Sequence, residues 1–171
     1  GNRNWGRIFD FGSSGNAEIT GPGGSGNGEE YIMLSSQIGG DVTNLRFEMT
    51  GADGFPGGQN FTLDFPTTFN QDNHFVMTWD EATGQIKMYQ NSVLVAQTTR
   101  TATINNINDL NVWLGRSNWT GDDNMQGEFD EFRFYNRVLP PEQARANFLV
   151  GPDSFATGAV QIVLQPTNVV Q

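Results

Sequence analysis

Apolar and polar residues alternate along this chain in short runs, with the period of two expected of strands that bury one face. Residues 5–11 (WGRIFDF), 30–36 (EYIMLSS), 44–49 (NLRFEM), 60–65 (NFTLDF) and 74–80 (HFVMTWD) fit that pattern. So do 85–90 (QIKMYQ), 93–98 (VLVAQT), 111–116 (NVWLGR) and 127–137 (GEFDEFRFYNR). Turn residues separate them, notably Ala82-Thr-Gly84 and Asn91-Ser92. The stretch 12–28 (GSSGNAEITGPGGSGNG) is too glycine-rich to pack and too long for a plain hairpin, so it is expected to be a surface loop or insertion. One helix is predicted, opened by Pro140-Pro141-Glu142 and continuing through 143–149, because proline suits a first helical turn. Many strands, hairpin turns and one short helix predict an all-β, two-sheet antiparallel sandwich over residues 1–150.

Residues 151–171 form a separate C-terminal segment. Gly151-Pro152-Asp153 breaks the chain, and 159–165 (AVQIVLQ) has the pattern of one more strand. Two readings stand: a last strand with a linker, or a strand lent to a neighbouring subunit.

Composition sharpens the class. The 171 residues include 21 Gly, 7 Pro and 13 Phe, with charged residues at 16% and aromatics at 12%. That is ample bulk for one core, and it excludes a disordered chain. The formal charge of −10 repels phosphate backbones, so no nucleic-acid partner is expected, and anionic membranes are disfavoured too. No apolar run approaches the roughly 18 residues of a membrane span. With no cysteine, disulfides, thiolate nucleophiles and Cys-based zinc sites are excluded. The chain begins at Gly1 with no signal peptide, as expected of a processed product or a piece of a longer precursor.

Three segments in order resemble the laminin G-like jelly-roll modules of the concanavalin A-like superfamily, common in secreted bacterial glycosidases and surface proteins. They are 5–12 (WGRIFDFG) with 31–35 (YIMLS), then 74–79 (HFVMTW) with 84–96 (GQIKMYQNSVLVA), then 113–117 (WLGRS) with 127–140 (GEFDEFRFYNRVLP). The resemblance covers roughly residues 5–149 and implies a concanavalin A-like jelly roll in a secreted or cell-surface protein. The 12–28 loop is longer than that family's pattern.

Laminarinase-type hydrolases share this sandwich, so catalysis has to be tested by residue. They carry Glu-x-Asp-x-x-Glu on one strand, which places a nucleophile and an acid/base on one face. The nearest match here is Glu128-Phe-Asp130-Glu-Phe-Arg133, where Arg133 replaces the last carboxylate. Hydrolysis is therefore not expected. The single histidine, His74, has the place of a structural residue in a strand, and no nucleophile elbow or phosphate-cradling glycine loop is present.

Two kinds of site remain. Alternation puts Asp130 on the face of Phe132 and Phe134, where a carboxylate needs compensation. Either backbone N–H groups supply it or a structural Ca²⁺ does, and the resemblance implies a Ca²⁺ shared with the amino-terminal segment, where Asp10 lies. The cluster Asp122-Asp123-Asn124 lacks the spacing of a calcium loop and reads as a solvated turn. For a sugar, Trp119 offers a planar apolar face with Asn118, Asp122, Asp123 and Asn124 beside it, unless the ring packs on the rim of the sandwich. Phe55 is a weaker platform, Trp79 and Trp113 sit in strand patterns as core residues, and Trp5 sits at the core edge. Asn60-Phe-Thr62 and Asn118-Trp-Thr120 fit the N-glycosylation triplet. The expected function is a non-catalytic extracellular module binding a glycan or polysaccharide. The alternative is a structural subunit that contacts neighbouring protein domains or subunits through residues 151–171.

Overall fold

A computed structural model describes residues 4–14, 28–50, 61–100, 107 and 109–154. Eight strands and one helix follow in order: β1 Arg7–Ser14, β2 Gly28–Ser35, β3 Asn44–Thr50, β4 Phe61–Pro66, β5 Phe75–Asp80, β6 Gln85–Gln90, β7 Val93–Thr99, β8 Asn111–Leu114 and α1 Pro141–Val150. They form a five-stranded sheet in the order β4-β3-β2-β1-β8 and a three-stranded sheet in the order β5-β6-β7. Every pairing is antiparallel. The hairpin between β6 and β7 turns through Asn91 and Ser92, both at positive φ (50° and 70°), the backbone that a tight two-residue turn requires.

The register explains the core. Phe9, Leu34, Phe47 and Leu63 stand opposite one another across β1 to β4, and Phe11, Ile32, Met49 and Phe61 form the next row. These residues face inward with Leu45 and Phe65 and meet Ile86 and Met88 of the second sheet. Burying such side chains supplies about 1.5–3 kcal/mol each, which makes this layer the main source of stability.

Residues 127–137 depart from the sequence reading. They are not a strand, and no ladder pairs them. Their side chains do alternate. Phe132 packs edge-on against Phe9 and Phe11 with ring centroids 6.0 and 5.9 Å apart, and Phe134 lies 5.5 Å from Phe11. Glu131, Arg133 and Tyr135 are half-buried between them. Alternation thus reports a segment contacted on two sides; it does not require a hydrogen-bonded neighbour.

The helix spans one residue more than predicted. Gln143 and Ala144 donate to the Pro140 carbonyl at its start, and Gly151 (φ 75°) ends it. Its buried face carries Gln143, Ala144 and Asn147; Asn147 accepts from Gln143 and donates to the Tyr135 hydroxyl. The predicted strand 159–165, Phe55, Asn60 and positions 15–27 of the glycine-rich loop lie outside the described residues.

Candidate functional site

The outer face of the five-stranded sheet is polar and aromatic, yet much of it is as dry as the core. Register rows run Arg7–Ser35–Arg46–Asp64 and Asp10–Met33–Glu48–Thr62, with Trp113 of β8 opposite Asp10. Strict alternation from Phe9 and Phe11 would put Arg7 on the inner face. A bulge between Arg7 and Phe9 shifts the register by one residue and turns Arg7 outward.

Arg7 then organises the site. Its Nε lies 3.3 Å from an Asp10 oxygen, one Nη donates to the Trp5 carbonyl at 2.6 Å, and the other sits 2.8 Å from Asp122. The guanidinium lies over the rings of Trp119 (5.1 Å) and Trp5 (5.8 Å). Arg46 also lies over Trp5, at 5.7 Å, and forks onto Asp64 with bonds of 2.7 and 2.9 Å. The Asp64 bonds raise the Arg46 pKa further. Tyr31 donates to Glu48 at 2.5 Å, and burial together with that carboxylate pushes the phenol well above its usual range.

The segment after β8 closes over β1. Asp10, wholly buried, accepts from the Asn118 backbone N–H at 2.9 Å and the Asn118 side-chain amide at 2.7 Å. Burial raises the Asp10 pKa, and these donors and Arg7 pull against it. Asn111 donates in turn to Asn118. Ser117 donates to Asp122, and the Trp119 N–H donates to Ser117. Burial likewise raises the Asp122 pKa against the pull of Arg7.

Trp119 is half-buried. It meets Tyr31 edge-on at 4.7 Å, and its ring covers Gly28 so closely that a Cβ there would fall 2.3 Å from Cη2. The ring therefore does both things the sequence left open: it packs on the sheet and keeps part of its surface outside.

The chain matches a family model described as the concanavalin A-like lectin/glucanases superfamily, of laminin G type, across residues 2–145. It belongs to that family. Among curated proteins, no sequence matches significantly. Among solved structures, the CBM40 of the Ruminococcus gnavus IT-sialidase bound to α2,3-sialyllactose is 22% identical with a TM-score of 0.63, covering 82% of this chain and 72% of that one. A second structure of that CBM40 is 20% identical, with a TM-score of 0.60 and the same coverage. At these identities the likeness is one of fold, and it agrees with the two antiparallel sheets and single short helix among the described residues of this chain.

Within this family member, the residues expected at the sugar site separate. Trp119 and Asp122 stand together on the outer face. Asp123, whose N–H donates to the Asn4 carbonyl, and Asn124 are exposed at its margin. Asn118 is fully buried with its amide spent on Asp10 and Asn111, which makes it a positioning residue and hides the Asn118 triplet from modification in the folded chain.

Asp10 and Asp130 stand in different surroundings. Both Asp10 oxygens are taken by N–H donors, the compensation considered for Asp130, whereas Asp130 is exposed. No group of three or more metal-ligating side chains occurs among the described residues.

Trp113 is not in the core. It stands on the outer face of the edge strand under the Arg116 guanidinium, 4.4 Å from the ring centroid. Trp79 does pack against the core. His74 is half-buried beside Phe148, and burial lowers its pKa. Trp5, Tyr31, Arg46, Glu48 and Asp64 were missed as site residues. The alternating Arg46-Phe-Glu48 was a usable signal, because two opposite charges flank one core residue on a strand.

Proposed function

We propose that this chain is a non-catalytic carbohydrate-binding domain of an extracellular protein, taking glycan on the outer face of its five-stranded sheet. The observation that carries the reading is the placement of tryptophan. Three of the four, Trp5, Trp113 and Trp119, are half-exposed on that one face, each with an arginine over its ring. Indole faces stack on the C–H surfaces of sugars, and carboxylates and amides beside them exchange hydrogen bonds with hydroxyls. The sialyllactose of the similarly folded CBM40 adds weight to a glycan as the ligand class.

The non-catalytic part rests on the carboxylates of the hydrolase-like segment. Glu128 and Asp130 are exposed, and Arg133, in place of the third carboxylate, pairs with Glu131. The third carboxylate of the hydrolase pattern is therefore missing from this segment.

Screening the whole chain against a glycan array, with Trp119→Ala in parallel, tests the proposal. Binding to a defined set of glycans that weakens in the variant is the expected result. A chain that retains no glycan, or turnover of a polysaccharide abolished by Glu128→Gln, would overturn it.

A further inference from the structure

We infer that the stretch of outer face between Trp5 and Trp119 selects uncharged sugar residues and rejects carboxylated ones. This inference rests on the glycan-binding reading, specifies its ligand class, and sets this chain apart from the similarly folded CBM40, whose bound sialyllactose carries a carboxylate.

A protein that recognises a carboxylated sugar needs a cation whose donors are open, most often a guanidinium fork. Each guanidinium on this stretch already faces two carboxylates. Arg7 is 2% exposed and spends its three nitrogens on Asp10, the Trp5 carbonyl and Asp122. Arg46 gives Nε and Nη2 to the two oxygens of Asp64, and its Nη1 lies 3.6 Å from Glu48. Four carboxylates thus share two guanidiniums, and the chain as a whole carries −10. An incoming carboxylate would have to share a guanidinium with carboxylates already on it, inside a field of its own sign. Like charges brought together at an interface are strongly disfavoured.

Hydroxyl groups face no such barrier. A paired carboxylate keeps lone pairs that accept from sugar hydroxyls, and the half-exposed indoles of Trp5 and Trp119 offer apolar surface that needs no charge. The Arg46–Asp64 fork holds the balance because it is the accessible one. The Asp64 side chain is 42% exposed and that of Arg46 is 23%, so a ligand can reach the pair without the sheet opening.

The test titrates the full chain with neutral gluco- and galacto-oligosaccharides and with uronic-acid oligosaccharides of the same length, at low and at 0.5 M salt as rough extremes of screening. The neutral set is expected to bind with an affinity indifferent to salt. The uronates are expected to bind at least about tenfold more weakly at low salt, a modest value for one unfavourable charge contact. Asp64→Asn, at an exposed position that leaves the core intact, is expected to release one side of the Arg46 fork and shrink that gap. Uronates that bind as tightly as neutral sugars overturn the inference and leave the glycan reading standing. An unchanged gap in Asp64→Asn, with the melting temperature preserved, overturns it as well. Failure of both sets to bind removes the glycan reading and the inference together.

Discussion

The two faces of the five-stranded sheet are made from alternate residues of the same strands, and their centres are equally dry. Phe47 is 0% exposed on one side and Asp10 is 0% exposed on the other. They are dry for opposite reasons. The inner face loses water because apolar surface is better out of it, a non-directional gain that any well-shaped hydrophobic set can supply. The centre of the outer face keeps water away from charged groups only because each has a partner: Asp10 with Arg7 and Asn118, Glu48 with Tyr31. The inner face should therefore tolerate exchange of one apolar side chain for another. The outer face should fail whenever one member of a buried pair is removed.

The largest effect tests the inner face. Phe47→Ala leaves a cavity among rings that have no freedom to collapse, and should cost about 3–5 kcal/mol in urea unfolding. Phe47→Leu should recover most of it. If the two cost the same, the inner face depends on shape more finely than described.

On the outer face, Asp10→Ala should cost about 1–3 kcal/mol, because it strands the Asn118 N–H donors and one side of Arg7. Asn118→Ala should cost a similar amount. The double variant should cost clearly less than the sum, since the two side chains share one interaction. Additive losses would show that they stabilise the fold separately.

A third comparison sets Trp119 against Trp79. Trp119→Ala should weaken glycan binding by roughly 1–3 kcal/mol, the usual range for an interface anchor. Trp79→Ala, packed against the core, should lower the melting temperature and leave the affinity of the remaining folded protein unchanged.

The smallest effect concerns pH. Burial raises the pKa of Asp10 above its ordinary value of about 3.8, so the folded state binds the proton more readily than the unfolded chain. Asp10's contribution to stability must then fall as pH rises from about 3.8 through the raised value, and recover on acidification. The wild type should gain slightly over Asp10→Asn when both are melted at falling pH down to that point. Asp41 runs the other way. Hydrogen bonds from Asn44 and Thr43 lower its pKa to about 2, so its contribution is present above 3.8 and is lost as pH falls toward 2. Asp41→Asn should flatten that last acid limb.

Most of the inner face was legible in the sequence, because a two-residue period states which side of a strand is apolar. Residues 85–90 were located to the residue, and seven other strands to within two or three at each end. What escaped has identifiable causes. A bulge is a local backbone event with no compositional mark, so Arg7 was assigned no place on the outer face. Trp113 follows the strand pattern, but on a four-residue edge strand either face can hold an indole. Asn118 looked like a sugar contact because its neighbours are polar. Only the tertiary fold, which brings it to Asp10, shows that its amide is already committed.

The bond between Asp10 and Asn118 joins residues 108 positions apart, and β1 lies between β2 and β8 in the sheet. A chain emerging from the ribosome at about 5–20 residues per second makes β1 early, and pairs it with β2 as soon as the intervening loop is out. The other edge of β1 must then wait several seconds for β8, with Arg7 and Asp10 in place and their partners still unmade. During that interval an unpaired edge and a half-compensated charge cluster face the solvent together. The charge is useful there, because a carboxylate and a guanidinium on an open strand make a poor template for another chain. The same pair that later seals the sheet thus guards it while it is unfinished.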